Sequence, residues 1–423
     1  MNCFQTPRQP FAATPLILEG NYSLIRFFRR RVFIFLVLGA IVAAFFLCAP
    51  PETVSAAPQN DAVGQLNENV KENLGNIDFG DLDEIANSLG DADFNLFKSD
   101  SFGSKVGKIL SGEFASDYPN LLAAILGLLG GFIFDVLPVI VLIVAIACLS
   151  GFMNSIKSES QQGVGNIIHF VCYAAIIVIV LGAVMSLSAE VGGVLGSLKA
   201  QMDIIFPILL TLMTAIGSVA SVGVYQPAVV MLSSGVMQIF SFVVMPLFFT
   251  TLVFSVVGNL SGATRLDKFV AFFTSAFKWI VGIVFTVFLA FLTIQGITAG
   301  AHDGVSIRAA KLTISSYVPF LGGYISQGFD LVMASSILIK NAVGVAGLYL
   351  LLGVVLGPVI KIAVFILALK LAAAVTQPIA DARISNFLTS VNKALGMLVA
   401  VLIGAAFMYF LTVGLVIISG NVI

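Results

Sequence analysis

The sequence predicts an all-α, polytopic membrane protein that also carries a short exported helical segment. Three observations lead to this class. Apolar residues make up 59% of the 423-residue chain and charged residues only 10%, whereas soluble proteins carry about 25% charged residues. About eight apolar runs are long enough to cross a bilayer as helices. The acidic residues are concentrated in one stretch near the N-terminus, outside those runs.

Residues 1–57 have the pattern of a signal peptide with an extended n-region. Four arginines between positions 26 and 31 precede the apolar run 32–47, and small residues follow at 55–57. A positive flank, a short apolar core and small residues are typical of a cleaved signal, so we expect cleavage after Ala56 or Ala57. An uncleaved anchor helix is the alternative. In both cases the arginines stay in the cytoplasm and the following residues are exported.

Residues 58–118 form the acidic segment. Twelve acidic and four basic residues lie between Asp61 and Asp117. Two sets of apolar residues recur at helical spacing; they are Val63, Leu66, Val70 and Leu74, and Phe102, Val106, Ile109 and Leu110. We predict two or three short amphipathic helices, with the last along the membrane surface. Their apolar content is too small for an independent core, so they should rest on the membrane domain or on a partner.

Residues 119–423 form the predicted membrane domain. The proposed spans are 121–149, 166–188, 204–222, 227–258, 279–299, 313–337, 341–375 and 394–419. The fourth and seventh are too long for one straight crossing, and they contain Pro246 and Pro358, which should kink or break them. With the signal removed, both mature ends lie outside the cytoplasm, and Lys340 falls in an outer loop.

A shift of 112 residues suggests an internal repeat. It places Pro207 on Pro319 and Pro246 on Pro358. The two units, 166–258 and 278–370, would each hold three spans, and an odd number reverses the second unit in the membrane. Inverted repeats with broken central helices are common in transporters. The alternative is eight unrelated helices with ordinary proline kinks.

Two ionisable residues inside apolar runs are candidate functional groups. Asp135 lies near the middle of the first span, and Lys361 follows Pro358. Charges in lipid are costly and usually face a bundle interior or water, so the two could pair within a polar pathway. Alternatively, Lys361 extends to the membrane surface and Asp135 lies at a helix interface.

No catalytic or metal-binding motif is recognisable, and no basic face suggests nucleic-acid binding. We therefore expect no enzymatic activity and no cofactor. Any energy source should come from a partner.

Two motifs resemble a known family. They are Ser315-Ser-Tyr-Val-Pro-Phe-Leu-Gly-Gly-Tyr324, followed by Gly328-Phe-Asp330, and Ser335-Ser-Ile-Leu-Ile-Lys-Asn-Ala-Val-Gly344. This pattern resembles the stage III sporulation protein AE family, and the similarity extends from about residue 120 to 419. The motif residues of interest are Pro319, Gly322, Gly323, Tyr324, Asp330, Lys340 and Asn341.

The resemblance implies a place in endospore-forming bacteria, in the mother-cell membrane around the forespore. Similar proteins work with a cytoplasmic ATPase and with ring-forming proteins of the intermembrane space, in an assembly that resembles a secretion machine or feeding channel. The expected function is a non-enzymatic membrane component of that channel, which could also form homo-oligomers. The alternatives are a stand-alone secondary transporter built on the repeat and, least favoured, an intramembrane enzyme.

Overall fold

The computed structural model describes residues 61–75, 77–88, 101–112, 118–155, 162–260, 266–317, 322–379 and 382–419. The signal-peptide prediction for 1–57 lies outside these ranges. Within them the chain is helical, which confirms the all-α class.

In the described residues, three short helices lie in the acidic segment and six long ones follow. The short helices are α1 (Asp61–Gly75), α2 (Gly80–Ser88) and α3 (Phe102–Ser111). The first two long helices are α4 (Tyr118–Ser155) and α5 (Gln162–Ala215). Helix α6 runs over 219–260 and contains two π-helical segments, Met231–Val236 and Phe240–Val244. The last three are α7 (Asp267–Tyr317), α8 (Gly322–Thr376) and α9 (Ala382–Ile418).

Six helices of the described chain, rather than eight, are long and apolar enough to cross a membrane. The spans predicted at 166–188 and 204–222 are joined, up to residue 215, within α5, and the one predicted at 313–337 is divided between α7 and α8. The polar residues at 189–203 interrupt the apolar run but not the backbone, because Glu, Lys and Gln are good helix formers. Helix α5 is 54 residues long, or about 80 Å, against a hydrocarbon core of about 30 Å.

The prolines do not break the helices in the predicted way. Pro207 and Pro358 lie inside α5 and α8, and both helices continue through them. Pro246 follows the second π-helical segment of α6, where the wider turn already changes the backbone hydrogen bonding. Pro319 lies outside the described residues.

These bounds do not give the proposed repeat units three spans each, and the inverted repeat stays a prediction. Each proposed unit, 166–258 and 278–370, contains parts of two long helices rather than three spans. An even number of crossings returns the chain to the side where it started, so the second unit would not be reversed. The local structure also differs, because Pro246 adjoins a π-helical segment and Pro358 lies in uninterrupted α-helix.

The core of the bundle is formed by α8 with α5 and α9. Helix α8 runs antiparallel to α5, because Lys361 meets Glu190 near one end of their contact and Gly347 meets Ile205 fifteen residues further along α5. Helix α4 ends at Ser155 and α5 begins at Gln162. This short connection favours an antiparallel arrangement of α4 and α5.

Helix α9 also runs antiparallel to α8. Its Ser385 donates to the Ala373 carbonyl at 3.3 Å, and at its other end the Ser419 carbonyl accepts from Lys340. Helix α8 is therefore enclosed over most of its length, and 67% of its most apolar window is buried.

Two glycines in the left-handed region end helices sharply. Gly217, with φ 87°, follows α5, and Gly112, with φ 76°, follows α3. The Gly217 N–H donates to the Thr214 carbonyl and the next N–H, of Ser218, reaches the Met213 carbonyl. This backbone closure satisfies carbonyls at the end of α5 and turns the chain directly into α6.

The acidic segment folds with its apolar side inward, which confirms its helices. Val70, Leu82, Phe102 and Val106 are buried. Ser101 caps the start of α3 by accepting from the Ser104 N–H. Helices α1 and α3 pack on α8, and α2 packs on α5. Helix α3 thus packs its apolar face on the bundle, and its predicted position along the membrane surface stays a prediction.

Candidate functional site

The candidate site is a line of polar groups along the central helix α8. Ser335, Lys340, Tyr349 and Lys361 each contact a different element of the protein. Polar residues on a helix that is otherwise apolar are expensive to keep in a membrane protein. Their partners therefore indicate what this helix holds in place.

Lys361 forms an ion pair with Glu190 of α5. Its Nζ lies 2.8 Å from Oε2, and the side chains are 37% and 31% exposed. The predicted pairing of Lys361 with Asp135 is therefore wrong. The sequence gives no sign of this role for Glu190, because the residue follows the apolar run 166–188 and falls in a predicted loop, where an acidic residue needs no partner.

Asp135 lies on the outer face of α4 instead. It is exposed, between Phe134 and Leu137, which are 75% and 46% exposed. Among the described residues, no side chain pairs with its carboxylate. Pro138 is exposed one turn further along.

Lys340 is fully buried and belongs to the middle of α8. Its ammonium donates to the Ser419 carbonyl at the end of α9, and the Ser419 hydroxyl bonds to the Tyr225 hydroxyl of α6 at 2.7 Å. Its predicted place in an outer loop is wrong, because one lysine does not end a helix. This lysine ties three helices together at one end of the bundle.

The acidic segment docks on the same part of α8. The Asn73 amide of α1 lies 3.4 Å from the Ser335 hydroxyl. Lys105 of α3 is only 5% exposed, and its ammonium lies 5.6 Å from the centroid of the Tyr349 ring. A cation over a tyrosine face is attracted to the ring, more strongly when water is excluded.

The other residues of the family motifs lie at or near the start of α8. Gly322, Gly323 and Tyr324 form its first turn, and Asp330 is exposed. Asn341 follows the buried Lys340, and its buried amide oxygen accepts no hydrogen bond among the described residues. The motif therefore marks the part of α8 that the acidic segment and the end of α9 contact.

The bundle interior contains further buried polar groups. Both amide atoms of Gln201 in α5 and the hydroxyl of Tyr409 in α9 are buried without a hydrogen-bond partner in the described part of the chain. In the same part, no three His, Cys, Asp or Glu residues come close enough to hold a metal ion. The arrangement as a whole can position helices and hold charges between them.

Comparisons with known proteins agree with the motif assignment. Residues 101–420 match the family Stage III sporulation protein AE. The chain is 24% identical over 261 residues to the stage III sporulation protein AE of Bacillus subtilis (strain 168), covering 62% of this chain and 65% of that protein. The alignment thus spans somewhat less than two thirds of the relative's length, and no solved structure matches the chain. Because the family match covers most of the chain and includes α3–α9, this protein belongs to the stage III sporulation protein AE family.

Proposed function

We propose that this sporulation protein is a non-enzymatic, multi-pass subunit of the channel complex between mother cell and forespore, needed for forespore development. It lies in the mother-cell membrane, with residues 58–118 on the extracytoplasmic side. Its partners are a cytoplasmic ATPase and ring-forming proteins of the intermembrane space. The family match supports the process, and the resemblance in the motifs supports these partners.

The observation that carries the proposal is the docking of the acidic segment on α8. Lys105 contacts Tyr349 and Asn73 contacts Ser335, so α1 and α3 are held to the central helix. Five carboxylates of α1, α2 and the turn between them point outward; they are Glu68, Glu72, Asp78, Asp81 and Glu84. A fixed acidic surface attached to membrane helices suits the attachment of a basic partner outside the cytoplasm.

A secondary transporter is the second candidate, and the Glu190–Lys361 pair is the observation that favours it. Both side chains are about one-third exposed at the surface of the bundle. Ionisable groups between membrane helices often belong to transport pathways. The inverted repeat, which would also favour a transporter, stays a prediction.

Affinity purification of the tagged full chain from sporulating cells tests the proposal. We expect the ATPase and the ring proteins to co-purify. Tyr349→Leu should reduce recovery of the ring proteins and leave the ATPase, because it loosens the docking of α3. Tyr349→Phe is the matched control, since it keeps the aromatic ring that Lys105 contacts.

Reconstitution of the purified chain in liposomes separates the two candidates. A subunit of a complex should give no substrate-dependent flux on its own. Flux that is lost in Glu190→Gln, together with the absence of both partners from the purification, would establish the transporter and exclude the channel subunit.

A further inference from the structure

Helices α4 and α7 are the least buried of the six long helices. Only 17% of the most apolar window of each is buried in the bundle. Asp135 is the one charged residue in the candidate span of α4, whereas α7 exposes Lys278 inside its candidate span and Asp267 and Lys268 at the start of that span. The two faces carry opposite charges, and a carboxylate inside a membrane requires a donor partner.

Asp135 lies at the level of Lys361 along the bundle. Helix α4 runs parallel to α8, because α4 and α5 are consecutive antiparallel neighbours and α5 is antiparallel to α8. Gly151 of α4 lies against the backbone of Ile379. Asp135 precedes Gly151 by sixteen residues, and the residue sixteen before Ile379 is Ala363. Asp135 is therefore within about one helical turn of the level of Lys361.

Lys278 of α7 also lies at the level of Lys361, on a different helix from Asp135. On α7, Phe285 packs at Gly404 of α9 and Gly296 packs at Leu415, so the two helices run parallel with a constant offset. That offset places Lys278 beside Met397. Ser385 contacts Ala373 and Ser419 contacts Lys340, which fixes the register of the antiparallel helices α9 and α8. In this register, Met397 of α9 lies opposite residues 361–362 of α8.

The outer face of α4 offers two acceptors at this level. Pro138 has no N–H, so the Phe134 carbonyl, four residues earlier, has no intrahelical donor. The Asp135 carboxylate is its neighbour in sequence. Both groups accept hydrogen bonds, so a helix that packs here must bring a donor. Lys278 has three N–H donors, which allows this contact beside the interaction it makes within its own chain.

A surface groove on α7, beside Lys278, could receive a helix. The groove is open and shallow, with a volume of about 450 Å³, and its lining comes from one face of α7: Lys278, Trp279, Gly282, Ile283, Thr286 and Val287. A Cβ added at Gly282 would meet no atom within 4 Å. When α4 packs antiparallel with Asp135 opposite Lys278, Gly131 comes opposite Gly282, since each glycine lies four residues from its charged residue. Facing glycines allow helix backbones to approach closely.

We propose that α4 of one copy of this chain docks in the α7 groove of a second copy, with Asp135 paired to Lys278. Helices α4 and α7 run antiparallel within one copy, so two copies with the same orientation in the membrane also bring them together antiparallel. The two faces differ, and such a heterologous contact repeats from copy to copy into a ring. The ring axis is then normal to the membrane. This inference is independent of the channel proposal, because purified protein alone should show it.

Charge reversal in purified full-length protein tests the pair. The wild-type chain in nanodiscs or mild detergent should have a mass of several protomers by native mass spectrometry. Asp135→Lys and Lys278→Asp should each reduce it to the monomer. The two changes in one chain should restore the oligomer, and so should a mixture of the two single variants. Asp203→Lys, which reverses an exposed acid on α5, should leave the wild-type mass unchanged.

A cysteine cross-link tests the geometry without altering either charge. The native cysteines are replaced, and two differently tagged copies are co-expressed, one with Phe134→Cys and the other with Trp279→Cys. We expect a disulfide between the two tags. Leu149→Cys in place of Phe134→Cys should give none, because position 149 lies fifteen residues from position 134, or about 22 Å along α4.

Three outcomes would overturn the proposal. The first is a monomeric wild-type protein without the cross-link. The second is rescue by the double variant in one chain but not by the mixture, which would make the pair intramolecular. The third is a cross-link from Phe134→Cys to a different protein and none to a second copy, which would assign the α4 face to another subunit.

Discussion

Helices α8 and α9 are buried over 67% and 56% of their most apolar windows, whereas α4 and α7 reach only 17%. All four are similarly apolar in sequence. In water such helices would all be driven into the core, but in lipid an apolar surface gains little from contact with another helix. Hydrophobicity therefore places these helices in the membrane, and other features decide which of them are central.

Small residues at the contacts are one such feature. A Cβ added at Gly347 would lie 3.0 Å from Ile205, and one at Gly404 would lie 3.1 Å from Phe285. The same addition at Gly130 of α4 or Gly282 of α7 would meet nothing within 4 Å. Gly347 and Gly404 thus allow close packing within the chain, whereas Gly130 and Gly282 have open space beside their helices.

Truncation of one phenylalanine in each region should give the largest difference. Phe206 in α5 is fully buried beside the ring of Tyr409, and Phe152 in α4 is 60% exposed. We expect Phe206→Ala to lower the free energy of unfolding by about 3–5 kcal/mol, and Phe152→Ala to change it by less than about 0.5 kcal/mol. Denaturation in mixed micelles measures both. Equal losses would show that α4 is covered within a single copy.

Replacing Gly151 or Gly130 of α4 by alanine should give the next largest difference in the free energy of unfolding. A Cβ at Gly151 would lie 2.1 Å from the Ile379 carbonyl oxygen, so Gly151→Ala must displace the turn between α8 and α9, at about 1–3 kcal/mol. Gly130→Ala should instead stabilise the helix by about 0.5–1 kcal/mol. The same unfolding measurement decides this. A neutral Gly151→Ala would mean that α4 is not fixed to the bundle at this point.

The Glu190–Lys361 pair should show a smaller, coupled effect. We expect a coupling energy of about 1 kcal/mol in a cycle of Glu190→Gln, Lys361→Met and the double variant, because the groups are partly exposed. A parallel cycle of Asp135→Asn with Lys361→Met should give no coupling within one copy. Coupling in the second cycle but not in the first would restore the pairing that the sequence suggested.

The contact between Lys105 and Tyr349 should have the most local effect. We expect Lys105→Gln to cost about 0.5–2 kcal/mol and to loosen only the acidic segment. Limited proteolysis should then cut within 58–118 sooner, while the long helices stay intact. Lys108→Gln on the same helix is the control, since Lys108 is less buried. Equal cleavage of both variants would place the stability of the segment elsewhere.

Sequence patterns predicted the helical membrane class and the apolar faces of α1 and α3. Helical spacing of Phe102 and Val106 reports directly on which face is buried, and both residues are buried. The boundaries of the membrane spans are harder to predict, because hydropathy measures the preference for lipid and not the continuity of the helix backbone. Helix α8 thus continues through both Lys340 and Pro358, where the sequence indicated a loop and a break.

The partners of the charged residues could not be predicted. Glu190 and Lys361 are 171 residues apart in the chain, and a single sequence carries no local signal for such a contact. Hydropathy predicts a loop at Lys340 because lysines usually lie in water, yet this lysine is fully buried and bound to the end of α9. Only the packing of three helices creates that site.

The length of α8 has a mechanical consequence. Its 55 residues form one continuous helix, about 80 Å long. Tyr349, where α3 rests, and Lys361, where α5 is held, are separated by about 18 Å of this helix. A displacement of the acidic segment along the axis of α8 should therefore also move the Glu190–Lys361 pair, unless α8 bends at Pro358. Pro358 lies between Tyr349 and Lys361, so its flexibility decides whether a displacement at the first contact reaches the second.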